Sequence, residues 1–401
     1  MRRLEHARIL MYSHDTFGLG HLRRCRTIAN ALVERFKGVQ VLIISGSPIA
    51  GAFDFRARVD FVKIPSVIKL YNGEYTSIDQ HIDLQGTLAM RQSIIRHTAE
   101  TFQPDFLIVD KEPMGLRGEL EDTLAYLKTH GTELILGLRD VMDSPTLLQA
   151  EWQKRDMMKK IAAYFDRIWI YGPESFWNPL QGFEVPEAVE NRMDFVGFLH
   201  RTMPQAGVAP DTDDRLLVTT GGGGDGAELF GQVLEAFQAA GRVPAPTTMV
   251  LGPFMPSEER ETIRARAAAF GDIEILDFDN RPEFLINSAA ALVSMGGYNT
   301  FCEILSFDKR ALIVPRVIPR EEQLIRATRA RELGLIDMML PNEADDPAAL
   351  YAALEAVLAR PKPSECGVDM PLDGLDRIAA HISGWPEQRK RARLTVVERA
   401  H

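Results

Sequence analysis

Two histidines and an acid crowd one short segment, Ser13-His14-Asp15-Thr16-Phe17-Gly18-Leu19-Gly20-His21-Leu22-Arg23-Arg24-Cys25. Residues of this kind move protons: an imidazole near neutrality removes one from a hydroxyl, and a neighbouring acid orients the ring. His21 opens a helical pattern, where the positive end of the helix favours the neutral, base-competent imidazole. We read His21 as the base that takes a hydroxyl proton, oriented by Asp15, with His14, Gly18 and Gly20 crowded beside it. The plainer alternative is that His21 packs or caps the first helical turn.

Two other segments have the chemistry of an anion seat. The run Gly221-Gly222-Gly223-Gly224-Asp225-Gly226 follows the strand-like Arg215–Thr220 and precedes a helical pattern from Ala227. Glycine permits positive φ and close approach of a ligand, and a helix start offers unpaired N–H groups to phosphate. Asp225 sits awkwardly there, since an acid repels phosphate unless it points away. Ser294-Met295-Gly296-Gly297-Tyr298-Asn299-Thr300-Phe301-Cys302-Glu303 repeats the strand, glycine and helix order. Glu303 lies in that helix, where a carboxylate can accept paired hydrogen bonds from a ribose diol. The loop Pro315–Arg320 carries two prolines and leads into Glu321, Glu322 and Gln323 at a helix start, where Glu322 and Gln323 suit sugar hydroxyls.

The elements that must carry these residues alternate. Strand candidates are Ala7–Tyr12, Val39–Ile44, Asp60–Ile64, Asp105–Val109, Glu133–Leu138, Arg167–Tyr171 and Met193–Val196, with helices near Leu22–Arg35, Leu84–Thr101, Leu116–Thr129 and Thr146–Tyr164. After Phe198 the chain turns to linker composition, and alternation restarts with strands at Arg215–Thr220, Thr247–Leu251, Ile273–Leu276, Ala291–Ser294 and Ala311–Val314. Helices are expected near Ala227–Ala239, Ser257–Ala269, Pro282–Asn287, Tyr298–Ser306, Glu321–Glu332 and Asp373–Ser383. This is the signature of an α/β chain with mostly parallel sheets. A length of 401 residues exceeds what one core normally sustains. We therefore expect two tandem Rossmann-like, doubly wound domains, 1–198 and 215–370, joined by a linker at 199–214. Residues 371–401 would add a helix that crosses back to the first domain and a basic tail. Facing domains of this kind would bind at the carboxyl ends of their strands.

Composition narrows the class. Hydrophobic residues make up 45% and charged residues 25%, as in a soluble enzyme, and no apolar run approaches the roughly 18 residues of a membrane span. The charged N-terminus is unlike a secretory signal, so a cytoplasmic location is expected. Cys25, Cys302 and Cys366 are too scattered for a disulfide framework or zinc site, and no metal or cofactor is expected. The net charge of −10 argues against nucleic acid as a partner. Arg389, Lys390, Arg391 and Arg393 make the end of the chain basic, which suits either a solvated tail or a peripheral contact to anionic lipid at the inner membrane face. Gly18 and Gly20 do not begin a dinucleotide fingerprint, because Arg23 stands where the third glycine would be.

In this order the motifs resemble those of the GT-B glycosyltransferases, and in particular glycosyltransferase family 28, the type that makes lipid II. Gly18-Leu19-Gly20-His21 is similar to its N-terminal glycine-histidine loop, Gly221–Gly226 to the turn opening its donor domain, and Gly296–Glu303 to its glycine-threonine-glutamate segment. Gly137-Leu138-Arg139-Asp140 and Tyr171-Gly172-Pro173 resemble a bacterial group of predicted glycosyltransferases; the resemblance implies an acceptor side in 1–198, with His14, Gly18, Gly20, Arg139 and Asp140 as its candidates, and a donor-binding domain in 215–370. The resemblance implies a GT-B fold and an inverting hexosyltransferase that takes sugar from a nucleotide-diphosphate donor, UDP-sugar first, to a glycan, lipid-linked or small-molecule hydroxyl in bacterial polysaccharide, glycolipid or secondary-metabolite biosynthesis. It implies diphosphate contacts from Gly221, Gly222, Gly223, Gly224, Gly296, Gly297 and Thr300, ribose recognition by Glu303, and donor-sugar contacts from Glu322 and Gln323. Met295 departs from the family's pattern before the glycine pair. Gly20–Cys25 is also similar to the nucleotide-sugar hydrolase of the pseudaminic acid pathway, so hydrolysis is a rival expectation, and a non-catalytic nucleotide-sugar binder is a third.

Overall fold

A computed structural model describes residues 6–14, 19–69, 75–77, 81–203, 214–222 and 224–384. The chain divides into two compact units, the first comprising Met1–Leu199 with Asp373–His401 and the second His200–Leu372.

The first unit begins with β1 (Ala7–Ser13), α1 (Gly20–Arg35), β2 (Val39–Ser45), β3 (Val59–Lys63) and the short strands β4 (Val67–Lys69) and β5 (Tyr75–Ser77). It continues with α2 (Leu84–Phe102), β6 (Phe106–Asp110), α3 (Glu121–Thr129), β7 (Glu133–Arg139), α4 (Pro145–Gln153), α5 (Met157–Tyr164), β8 (Arg167–Tyr171), α6 (Glu187–Glu190) and β9 (Met193–Phe195). Seven strands form one sheet in the order β3-β2-β1-β6-β7-β8-β9, with every pairing parallel. Helices on both faces of such a sheet bury both sides of each strand, so the strands read as continuous apolar runs. Phe106-Leu107-Ile108-Val109 and Leu134-Ile135-Leu136 are accordingly buried throughout.

The second unit runs through β10 (Leu216–Thr219), α7 (Ala227–Ala240), β11 (Thr247–Val250), α8 (Ser257–Ala267), β12 (Ile273–Leu276), α9 (Pro282–Ser288) and β13 (Ala291–Ser294). Then come α10 (Tyr298–Ser306), β14 (Arg310–Ile313), α11 (Glu322–Glu332), β15 (Asp337–Met338), α12 (Pro341–Ala344) and α13 (Pro347–Ala359). Its six strands are ordered β12-β11-β10-β13-β14-β15, again all parallel. Each sheet therefore reverses direction beside its first strand. In the first unit the reversal falls at β1 and β6, and in the second at β10 and β13. Loops leaving adjacent strands at such a point go to opposite faces, opening a crevice at the carboxyl ends where doubly wound folds bind ligands.

The last helix, α14 (Gly374–Ser383), packs on the first unit. Asp376 pairs with Arg35 of α1, and His381 Nε2 lies 2.9 Å from Glu133 Oε1 with its ring edge-on to Trp169. Gly374 is required by close approach: a Cβ there would sit 2.6 Å from the Gly197 carbonyl oxygen.

Several sequence expectations need correction. Thr146–Tyr164 is two helices, because Asp156 takes a left-handed conformation at φ 48° and interrupts the ladder. Leu116–Thr129 begins as a 3-10 turn at Leu116–Gly118 before α3 starts. The antiparallel pair β4 and β5 was not anticipated, nor were β15, α12 and α13. For α13 the sequence did hold a signal, since Asp346 caps the backbone N–H groups of Ala348 and Ala349 at 3.0 and 3.3 Å and Pro347 occupies the first turn.

Candidate active site

At the reversal point of the first sheet, β1 leads into His14, the first turn of α1 carries His21, and β6 ends in Asp110. His21 Nδ1 is in short hydrogen-bond contact with Asp110 Oδ2. Asp110 is gripped from its other side by Arg24, whose Nε and Nη2 donate to Oδ1 and Oδ2 at 2.7 and 2.5 Å. Arg24 lies three residues after His21 on α1, so one face of a single helix turn presents both. Burial alone would raise the Asp110 carboxyl, but Arg24, and after it His21, hold it well below the usual carboxylate range. The proton in the His21–Asp110 contact therefore belongs to Nδ1, which leaves Nε2 as a bare acceptor. Burial lowers His21 to about 3, against the opposing pull of Asp110. The physical reason is charge count: Arg24 and Asp110 already cancel, so protonating His21 would place a net charge in a poorly hydrated site. His14 is buried beside it, the two rings standing edge to face with centroids 5.7 Å apart.

At the reversal point of the second sheet, β10 leads through Thr220 into the glycine turn and α7, and β13 leads through Met295 into Gly296, Gly297 and α10. Gly296 adopts φ +72°, and a Cβ on it would meet Ile313 Cγ2 at 2.7 Å, so this turn accepts little but glycine. Its carbonyl accepts from Arg326 Nη1 at 3.2 Å, and Arg326 is itself fully buried with its guanidinium near the Tyr298 ring. Thr300 and Glu303 of α10 are both buried, Glu303 to 1% exposure. Glu303 is therefore not a surface carboxylate. Glu322 and Gln323 are buried in the first turn of α11. Gln323 Oε1 accepts from the Arg316 backbone N–H at 2.9 Å, which pins the proline-bearing loop to that helix. Asp225 pairs with the Arg316 guanidinium. The acid in the glycine turn is therefore neutralised from the next loop but one in the sheet.

The structure brings His14 and His21 together in the first unit, and Gly221, Gly222, Gly224, Gly296 and Gly297 to the reversal point of the second. Arg139 and Asp140 are buried at the carboxyl end of β7, one strand beyond Asp110. Gly20 is the exposed first residue of α1. Asp15, Gly18, Gly223 and the basic residues Arg389, Lys390, Arg391 and Arg393 lie outside the described residues. Sequence reasoning missed Asp110, Arg24, Arg316 and Arg326 as site residues. For Asp110 the available signal was its place as an acid ending an apolar strand. Among the described residues no group of three or more His, Cys, Asp or Glu could hold a metal ion, and no helix is long and apolar enough to cross a membrane.

No family model matches the sequence, and no curated protein matches it. Solved structures do. A glycotransferase of kitacinnamycin is 16% identical over 98% of this chain and 99% of its own, with a TM-score of 0.59. MurG of Acinetobacter baumannii is 13% identical over 94% and 100%, with a TM-score of 0.57. A putative UDP-N-acetylglucosamine 2-epimerase from Listeria monocytogenes is 12% identical over 95% and 96%, with a TM-score of 0.60. At such identities the likeness shows the fold. The chain has the two-domain α/β architecture of the GT-B glycosyltransferases, matched over 94%, 95% and 98% of its length by these three.

Proposed function

We propose that this chain is an inverting glycosyltransferase that moves a sugar from a nucleotide-diphosphate donor to a hydroxyl acceptor. The observation that carries this reading is the buried Arg24–Asp110–His21 array at the reversal point of the first sheet, because it fixes an imidazole as a neutral base with Nε2 available. Nε2 takes the acceptor hydroxyl's proton as its oxygen bonds to the anomeric carbon. The bond from that carbon to the diphosphate oxygen breaks with its electrons, and one inversion follows. Asp110 stabilises the imidazolium as it forms and keeps the ring in the required tautomer.

The donor belongs to the second unit. The glycine turn and the start of α7 offer N–H groups to the departing diphosphate, a preorganised stabilisation of developing charge. Arg316 removes the objection that Asp225 raises there. Glu303 would accept the ribose hydroxyls, and Glu322 and Gln323 would meet the sugar. UDP is the leading nucleotide, in keeping with the UDP-sugar named for one structural neighbour. The scheme asks for no metal, since backbone dipoles carry the leaving group's charge. A role in bacterial glycan, glycolipid or secondary-metabolite assembly in the cytoplasm, with an acceptor drawn from those classes, completes the proposal.

Calorimetric titration with UDP, GDP and dTDP tests the donor site. We expect one of them to bind, and Glu303→Gln to weaken it by about 10- to 100-fold, the effect of losing a charge-assisted hydrogen-bond pair, while inorganic pyrophosphate binds as before. Failure of all three nucleotides to bind would contradict the assignment.

A further inference from the structure

The first unit contains a second buried array that the proposed reaction leaves unused. Arg91 of α2 is fully buried and donates through Nε and Nη2 to Glu119 Oε2 and Oε1 at 2.7 and 2.6 Å, while its Nη1 donates to the Pro65 carbonyl at 2.6 Å. Glu119 Oε1 also accepts from the Tyr12 hydroxyl at 2.5 Å. A phenol has one proton, and here it is committed to the carboxylate. Tyr12 Oη can then only accept; the Leu116 backbone N–H lies 3.3 Å from it and His14 Nδ1 3.4 Å. A hydrogen bond across the second contact requires the His14 proton on Nδ1. Its Nε2, like that of His21, is a bare lone pair, with no hydrogen-bond partner among the described residues.

We propose that Arg91, Glu119 and Tyr12 form a positioning chain that presents His14 Nε2 as a second hydrogen-bond acceptor beside His21, so that the ligand of this face offers two neighbouring hydroxyls. The arrangement copies the first: an arginine holds a carboxylate in two bonds, and the carboxylate dictates a histidine tautomer. A buried ion pair rarely adds stability over an apolar replacement, which leaves the placement of His14 as what this one accomplishes. Burial lowers His14 to about 4, with Glu112 and Glu119 raising it and Lys111 and Arg91 lowering it, so both rings are neutral at pH 7. Two neutral acceptors on rings whose centroids are 5.7 Å apart suit two O–H donors and repel a phosphate or carboxylate. A vicinal diol of a sugar or polyol fits, and an anionic acceptor group does not. That the ligand is an acceptor rests on the function proposed above; the tautomer does not.

The test is long-range ¹H–¹⁵N NMR on the full-length protein labelled at histidine nitrogen. At pH 7 His14 should be neutral with the proton on Nδ1. Glu119→Gln supplies an amide that donates to Tyr12 Oη and turns the phenol toward His14, so the His14 proton should move to Nε2 with His21 unchanged. Tyr12→Phe, should the first variant fail to fold, should abolish the Nδ1 preference. Titration with cis-1,2-cyclohexanediol should move both Nε2 resonances, and cyclohexanol that of His21 alone. An Nε2-protonated or charged His14 in the native protein, a tautomer indifferent to both variants, or a diol that fails to move His14 would overturn the proposal. Loss of nucleotide binding by the native protein would fault the donor site and leave these outcomes untouched.

Discussion

His14 and His21 make the protein's acid stability a readout of the site. Both are held neutral in the fold by burial, at about 4 and about 3, whereas in the unfolded chain each titrates near 6.5. Below pH 6.5 the unfolded state therefore takes up protons that the folded state refuses, and stability falls as pH falls toward 4. Asp110 has the opposite sense: its depressed carboxyl contributes stability above the ordinary carboxylate range and loses it only at lower pH, outside this window. We predict a loss of about 2 kcal/mol per histidine between pH 7 and pH 5, measured by urea unfolding, and a clearly shallower slope in the His14→Gln, His21→Gln double variant. An unchanged slope would mean that the rings are hydrated. The histidines themselves were legible, since their types and crowding announced proton chemistry. Their true partners were not: Asp110 lies 89 residues from His21, and only the parallel pairing of β1 with β6 brings it there.

At the scale of elements, the two strand, glycine and helix passages were legible because each repeats one local order of residue types, an apolar β-type run, glycines and a helical pattern. Gly296 shows why the residue is glycine. We predict that Gly296→Ala destabilises the chain by about 1–3 kcal/mol through backbone strain at positive φ, with the clash on Ile313 adding to it, and that nucleotide affinity falls alongside; an urea midpoint equal to the native value would contradict the strain. Less legible were α13, β15 and the β4–β5 pair. The strands are only two or three residues long, too short for alternation to register. In α13 the apolar residues surround the helix, as in Ala348-Ala349-Leu350-Tyr351-Ala352-Ala353-Leu354, so no single stripe marks it.

At the scale of the molecule, alternation of strand and helix foretold two doubly wound units, and the sheet orders place His14 and His21 at the reversal point of the first and the two glycine passages at that of the second, with Arg139, Asp140, Glu322 and Gln323 one strand further on. What the sequence could not supply was the pairing of distant charges, such as Arg91 with Glu119 and Arg316 with Asp225, which depends on topology. On the function proposed above, the hydroxyl activated by His21 is an acceptor's and not water's. Release of UDP from UDP-sugars, followed with and without a panel of polyhydroxylated acceptors, tests it most directly. We expect slow release alone, strong stimulation by an acceptor with formation of a glycoside of inverted configuration, and loss of about 10²- to 10⁴-fold in His21→Ala; rapid acceptor-independent release of free sugar, or turnover indifferent to His21, would overturn the transferase reading.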